Sequence, residues 1–289
     1  IGRNVIDNAI VPSLINKHTN EVGMPVFKEV IPSKASRRMS LIIKMGVYTA
    51  LKCIGDETVN GIIHGTGLGC IADTEKFLSQ IADEDKSILS PTPFIQSTHN
   101  TIAGQIALLK QIQAYNMTHV QGGVSFECAL MDGIALVTEN KGKVMVGCTD
   151  ESTDFLFQLI NEFKLPQADF SFGGSSFLLG SDSQGAKAEL LNCDVVDYET
   201  WNPESINADV VISGSSYFNS KAISSQIDYS KFSGIHLSNS GYGMQMAVEL
   251  LNASTEELAE FGIHKAPKSI AVVNNYKNEK VGIVNLKAI

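Results

Sequence analysis

The chain reads as an α/β protein, and three features predict it. Strand-length apolar runs alternate with amphipathic runs of helix length, glycines punctuate the strand ends, and the chain closes on two alternating strands across a tight turn. The sheet is therefore expected to be largely parallel, with an antiparallel closing pair.

Residues 1–34 hold strand or loop segments broken by Pro12, Pro25 and Pro32. Residues 36–54 predict a helix: Ser36 or Ser40 can cap it, and Met39, Ile42, Ile43, Val47, Ala50 and Leu51 recur at helical spacing. A strand GIIHGTG (61–67) leads into the capped helix DTEKFLSQIADE. Residues 90–97, SPTPFIQS, predict an extended loop held by two prolines, and 100–115 the next helix. The stretch 116–134, NMTHVQGGVSFECALMDGI, reads as a strand (Thr118–Gln121), a glycine elbow (Gly122, Gly123) and a helix starting near Ser125. A strand (143–148) and a helix (152–164) follow. Residues 173–182 and 186–198 predict an antiparallel pair about a turn at Ser183–Gly185. A strand at 208–214 and a polar linker at 215–233 precede a strand GIHLSN (234–239) and a helix at 242–253. Strands 269–275 and 281–286 close the chain about Tyr276–Lys280. The division expected is an N-terminal half, residues 1–165, and a reduced C-terminal half, residues 166–289.

Composition narrows the function. Of 289 residues, 44% are hydrophobic and 18% charged, with a net charge of −9, which disfavours a nucleic-acid surface because phosphates need clustered Lys and Arg. The basic run Lys34–Arg38 sits at a helix start and reads as a solvated face or a partner contact. The five cysteines have no CxxC or Cys/His metal spacing, so no metal is expected, and they fit a reduced, cytoplasmic protein. No apolar run reaches the ~18 residues of a membrane span. The chain opens at Ile1, so a short N-terminal piece is expected to precede it.

The elbow carries the chemistry. A strand turning sharply into a helix lifts a nucleophile and aims the helix N-terminus at a developing oxyanion. Here the apex is glycine. GTGLG (65–69) does not complete a dinucleotide fingerprint, because its third glycine arrives too early for G-x-G-x-x-G, and no cofactor is expected. Glu127 lies on the helix behind the elbow and reads either as a pocket group or as part of a polar face.

RRMSLIIKMGVYTAL, GTGLGCIADTEKFL, SPTPFIQSTHNTIAGQIAL and NMTHVQGGVSFECALMDG, in that order, resemble the β-ketoacyl-acyl-carrier-protein synthase family, and in particular its divergent branch of chain-length factors. The resemblance implies a thiolase-like fold of two similar α/β halves in a layered α-β-α-β-α core, a dimer, and no cofactor. It also implies a Cys-His-His site, in which the elbow cysteine takes the acyl chain and two histidines assist decarboxylation of a malonyl unit. Matching residue by residue places Gly123 at the cysteine, Ser213, in ISGSSYFN, at the first histidine, and Ser240 at the second. Ile235 falls at the lysine before the second histidine, and YKNEK (276–280) replaces a glycine-rich gate loop. Glycine cannot attack a thioester, and serine cannot carry protons near neutrality as imidazole does. The branch often has glutamine at the elbow; Gln121 stands two positions earlier. The resemblance further implies that Phe94, Gln96, His99, Asn100, Gln121 and Phe126 line a tunnel or an interface.

The expected function is thus a non-catalytic subunit that pairs with an active ketosynthase and shapes its acyl tunnel, meeting acyl carrier protein indirectly, in fatty-acid or polyketide synthesis of the aryl-polyene kind. Two alternatives stay open. One is a self-sufficient acyltransferase or decarboxylase using Ser125 or Cys128; the other is a homodimeric acyl-binding scaffold. The bland readings are an N-cap for Ser125, core packing for Cys128, an interface or capping role for His99 and a hydrogen-bonded core histidine for His236.

Overall fold

The computed structural model describes residues 4–11, 24–83, 88–139, 142–163, 171–183, 185–215 and 222–289. Pro12, the centre of the expected turn at 183–185 and the part of ISGSSYFN beyond Ser215 lie outside the described residues.

The first elements are β1 (Asn4–Val11), α1 (Ser33–Ser36), α2 (Leu41–Ile54), β2 (Gly61–Gly65), α3 (Ile71–Ala82), α4 (Pro91–Gln96), α5 (Thr101–Lys110) and β3 (Tyr115–His119). There follow α6 (Ser125–Thr138), β4 (Val144–Asp150), α7 (Asp154–Glu162), β5 (Gly173–Gly180) and β6 (Ala188–Asp197). The chain ends with β7 (Val210–Ser215), β8 (Ile227–Asp228), α8 (Ser230–Ser233), α9 (Asn239–Asn252), α10 (Thr255–Glu260), β9 (Ser269–Tyr276) and β10 (Lys280–Lys287).

The strands run in the order β3-β2-β4-β5-β1-β6-β10-β9-β7-β8. Read inward from each end, this is one pattern used twice. β3-β2-β4-β5-β1 answers β8-β7-β9-β10-β6, each with a parallel trio at the outside and antiparallel strands towards the middle. The two sets of five meet where Asn4 and Val5 of β1 pair with Glu189 and Ala188 of β6. Strand β5, beyond the expected boundary at residue 165, pairs with β4 and β1 and so belongs to the first set.

Helices α6 and α9 occupy the same place in each repeat, after the outermost strand. Each packs against strands of both sets, so together they form the middle layer. Helices α2 and α5 cover the outer face of the first set. Gly55, with φ of 52°, ends α2 by returning its N–H to Leu51. Under that cover β2, β4 and β5 are buried along their whole length, as strands covered on both faces must be. The matching connection in the second set, between β6 and β7, carries only a 3-10 turn at Pro203–Ser205. Among the described residues, no helix lies on the outer face there.

Several local expectations are corrected. The single helix at 36–54 is two, α1 and α2, broken at Arg37–Ser40. SPTPFIQS is helical rather than extended: Pro91 takes the first helical position and Pro93 falls in the same turn, where a missing N–H costs nothing. Residues 173–182 and 186–198 do not pair with each other, because β1 lies between β5 and β6. GIHLSN is not a strand; the chain bends at Leu237–Ser238 and α9 begins at Asn239.

Candidate functional site

The strand, glycine turn and helix of the elbow are present, but the strand is Tyr115–His119 rather than Thr118–Gln121, and the helix before it ends at Lys110 rather than 115. After β3, Gly122 takes φ of 60°, a 3-10 turn spans Gly122–Val124, and α6 starts at Ser125. Only glycine fits position 122: the backbone is left-handed there, and an added Cβ would stand 2.5 Å from the Tyr276 hydroxyl. Ser125 is the first helical residue rather than the cap. Its Oγ donates to the Gly122 carbonyl at 2.6 Å and accepts from the Gln121 N–H at 2.8 Å, closing the elbow on itself.

The groups around the apex come mostly from the second set of strands. Asn274 of β9 donates through Nδ2 to the Gly123 carbonyl at 2.7 Å and to Glu127 Oε1 at 2.9 Å. Gly282 of β10 lies under the Glu127 carboxyl, where a Cβ would come within 2.5 Å of Oε1. The Cys193 thiol donates to the Glu127 carbonyl at 3.5 Å. Glu127 is 1% exposed. Burial pushes its carboxyl up to about 7, against the lowering effect of the Asn274 hydrogen bond, the backbone and the Ser240 hydroxyl. Nearby, the buried ring of Tyr229 lies against Gly214 and Gly243, positions with no room for a side chain. The elbow therefore carries a buried, near-neutral acid tied to an amide, and neither a thiol nor an imidazole at its apex.

The matched positions separate. Ser240, in the first turn of α9, is 1% exposed and touches the Glu127 network. Ser213 does not join it. It is in register with Val273, one residue from Asn274, and so faces the opposite side of the sheet. There its Oγ bonds Ser225 Oγ at 2.8 Å. Cys128 is half-buried, and burial raises its thiol, as it also does for Cys148 and Cys193, so none is poised as a thiolate. His236 is buried, and desolvation lowers it to about 3.

Phe126 is a core residue, fully buried with its ring 5.6 Å from that of Phe177. Phe94 is exposed and rests on Phe77, Gln96 donates to the Arg38 carbonyl, and the His99 ring packs against Gly69. Asn100 Oδ1 accepts from Thr118 at 2.9 Å, tying α5 to β3, and Gln121 is exposed at the lip of the elbow.

A second buried contact joins the two sets. Asp150, at the end of β4, accepts from the N–H groups of Gly67 and Leu68, from Thr66 Oγ1 at 3.1 Å and from the Ser238 hydroxyl ahead of α9. Neither this contact nor Asn274 is flagged by local sequence pattern; the one available signal for Asn274 is a polar residue at an inward position of an otherwise apolar strand.

Residues 15–172, more than half of the chain, match the family of the β-ketoacyl synthase N-terminal domain. The chain belongs to that family. No curated protein matches the chain. Among solved structures, the ishigamide ketosynthase/chain length factor is 12% identical with a TM-score of 0.73, covering 100% of both chains. A type II polyketide synthase acyl-carrier protein in complex with its ketosynthase gives 12% identity and a TM-score of 0.76 over 100% of this chain and 99% of that one. The ketosynthase ApeO in complex with its chain length factor ApeC, from Xenorhabdus doucetiae, gives 14% and 0.57 over 99% of each. At these identities the likeness fixes the fold, which is the thiolase-like ketosynthase fold. Against that fold, this β-ketoacyl synthase relative carries glycine at the apex of its elbow.

Proposed function

We propose that the chain is a non-catalytic ketosynthase-like subunit of the chain-length-factor type, which pairs with an active β-ketoacyl synthase and lines the acyl tunnel of the pair. The observation that carries this reading is the elbow itself: the turn and the helix behind it are intact, while the apex is Gly122–Gly123, with no side chain to hold an acyl group. Ser125 is committed to the elbow backbone and the Cys128 thiol is raised, which argues against a re-sited nucleophile.

Pairing has a surface available. β3 ends the strand order, its outer edge unpaired among the described residues, and exposed Tyr115, Met117, Val120 and Met131 lie along or beside it. Walls contributed by both chains would then set how many methylenes fit, at about 0.8 kcal/mol per buried CH₂. The acyl-carrier complex and the ketosynthase/chain-length-factor pairs among the structural relatives support a polyketide-type product, with the carrier protein met through the partner.

Co-expression with an intact Cys-His-His ketosynthase from the same genome tests the reading. The two chains should elute as a 1:1 complex, and Met117→Asp should split it. Elution as separate species at micromolar concentration would count against it.

A further inference from the structure

The β9–β10 hairpin touches the elbow at three successive places. Asn274 holds the Gly123 carbonyl and the Glu127 carboxyl, Tyr276 sets its hydroxyl against Gly122, and Gly282 makes room for Glu127. The turn that places Tyr276 is a tight hairpin turn. Lys277 and Asn278 both take left-handed φ, 60° and 58°, as such turns require, and asparagine is among the residues that adopt it readily. Local bonds hold it there. Glu279 N–H donates to the Tyr276 carbonyl at 3.0 Å, and the side chains of Asn275 and Asn278 bond each other at 3.0 Å. Asn278 N–H donates to Asn275 Oδ1 at 3.1 Å, and the Lys277 ammonium lies 5.1 Å from the Tyr276 ring centre. A tight turn held by these contacts sets the Tyr276 ring on the elbow.

We infer that this hairpin is a built-in plug: Tyr276, backed by the Asn274–Glu127 pair, closes the space before the elbow, so the site is blocked as well as stripped of its nucleophile. This deepens the silent-subunit reading and rests on it. The plug explains why Gly122 cannot carry a side chain. It also predicts that restoring a thiol at the apex restores no reactivity until Tyr276 is removed.

The test compares Gly123→Cys with Gly123→Cys/Tyr276→Ala in the full chain. Each is treated with iodoacetamide at pH 8, natively and in denaturant, and peptide mass mapping separates the introduced thiol from the five native ones. In the single variant the introduced thiol should react at least about tenfold more slowly in the native protein than in denaturant, and the second substitution should remove most of that protection. A single variant equally reactive in both conditions overturns the plug, as does a double variant that stays protected. Should Gly123→Cys fail to fold, Tyr276→Ala alone decides. Amide exchange at residues 121–125 should speed up by about tenfold or more, and unchanged exchange overturns the proposal. The outcomes are separable: a freely reactive Gly123→Cys removes the plug and leaves the silent-subunit reading intact, whereas an acyl adduct on the unmodified chain removes that reading.

Discussion

The two sets of five strands share one topology and differ in what covers them. The first is sealed on its outer face by α2 and α5, and its strands β2, β4 and β5 are buried along their whole length, His64, Thr149, Asp150, Ser175 and Ser176 included. The second has no such helix among the described residues. Its strands β6 and β10 place Asn192, Asp194 and Asn285 along an outer cleft of about 340 Å³, walled by residues 205–208. The inner faces remain alike, each meeting α6 and α9 in the middle layer. The covered face of the first set is closed over polar as well as apolar side chains, such as Ser176 bonded to Thr49 of α2, whereas the open face of the second leaves a cleft lined by both kinds. What both sets retain is the interface between them, where Glu127, Asn274, Asp150 and Ser238 lie buried.

The largest effect expected from this contrast is at that interface. Unfolded, Glu127 titrates near the ordinary 4.5; folded, it titrates at about 7. The folded state thus binds the extra proton between those values, and stability falls as pH rises from about 4.5 through 7, then levels off. The full difference is on the order of 3 kcal/mol. Glu151, also raised to about 7 by burial, adds a slope of the same sign. His64 and His236, lowered to about 3, act oppositely and lose stability as pH falls below 6.5. Urea unfolding of wild type and Glu127→Gln across pH 4.5–8 isolates Glu127 as the difference between the two curves. The variant should gain on wild type as pH rises, and parallel curves would refute the assignment.

Of comparable size is the effect of the cover itself. Ile43→Ala, in α2 at 0% exposure, should cost about 2–5 kcal/mol, and Asn192→Ala, on the open face, less than about 0.5. Equal losses in thermal unfolding would mean that the open face is sealed in solution. The smallest effect is peripheral. α10 begins with a capping box between Ser254 and Glu257, and Ser254→Ala should cost about 1 kcal/mol without touching the elbow.

How much of this could be read from the chain follows from the range of the interactions. The elbow was legible because glycine, strand and helix signals fall within one short stretch, and so was the closing hairpin with its turn at Tyr276. The helix at Pro91–Gln96 was misread because two prolines suggest an extended loop, although both sit in a first turn where proline is tolerated. The insertion of β1 between β5 and β6 has no local sign, since it joins segments more than 160 residues apart. The Glu127–Asn274 bond spans 147 residues, so neither residue marks its partner. Ser213 matched by order of motifs, yet strand register decides which face a side chain occupies, and a shift of one residue reverses it.

The central claim, that this elbow holds no acyl group, is tested most directly by intact mass. The purified pair of this chain and its ketosynthase should be incubated with acyl-loaded carrier protein and both subunits read in one spectrum. The account predicts an acyl adduct on the ketosynthase alone, with the mass of this chain unchanged. An adduct on this chain, whether on Ser125, Cys128 or elsewhere, would contradict it.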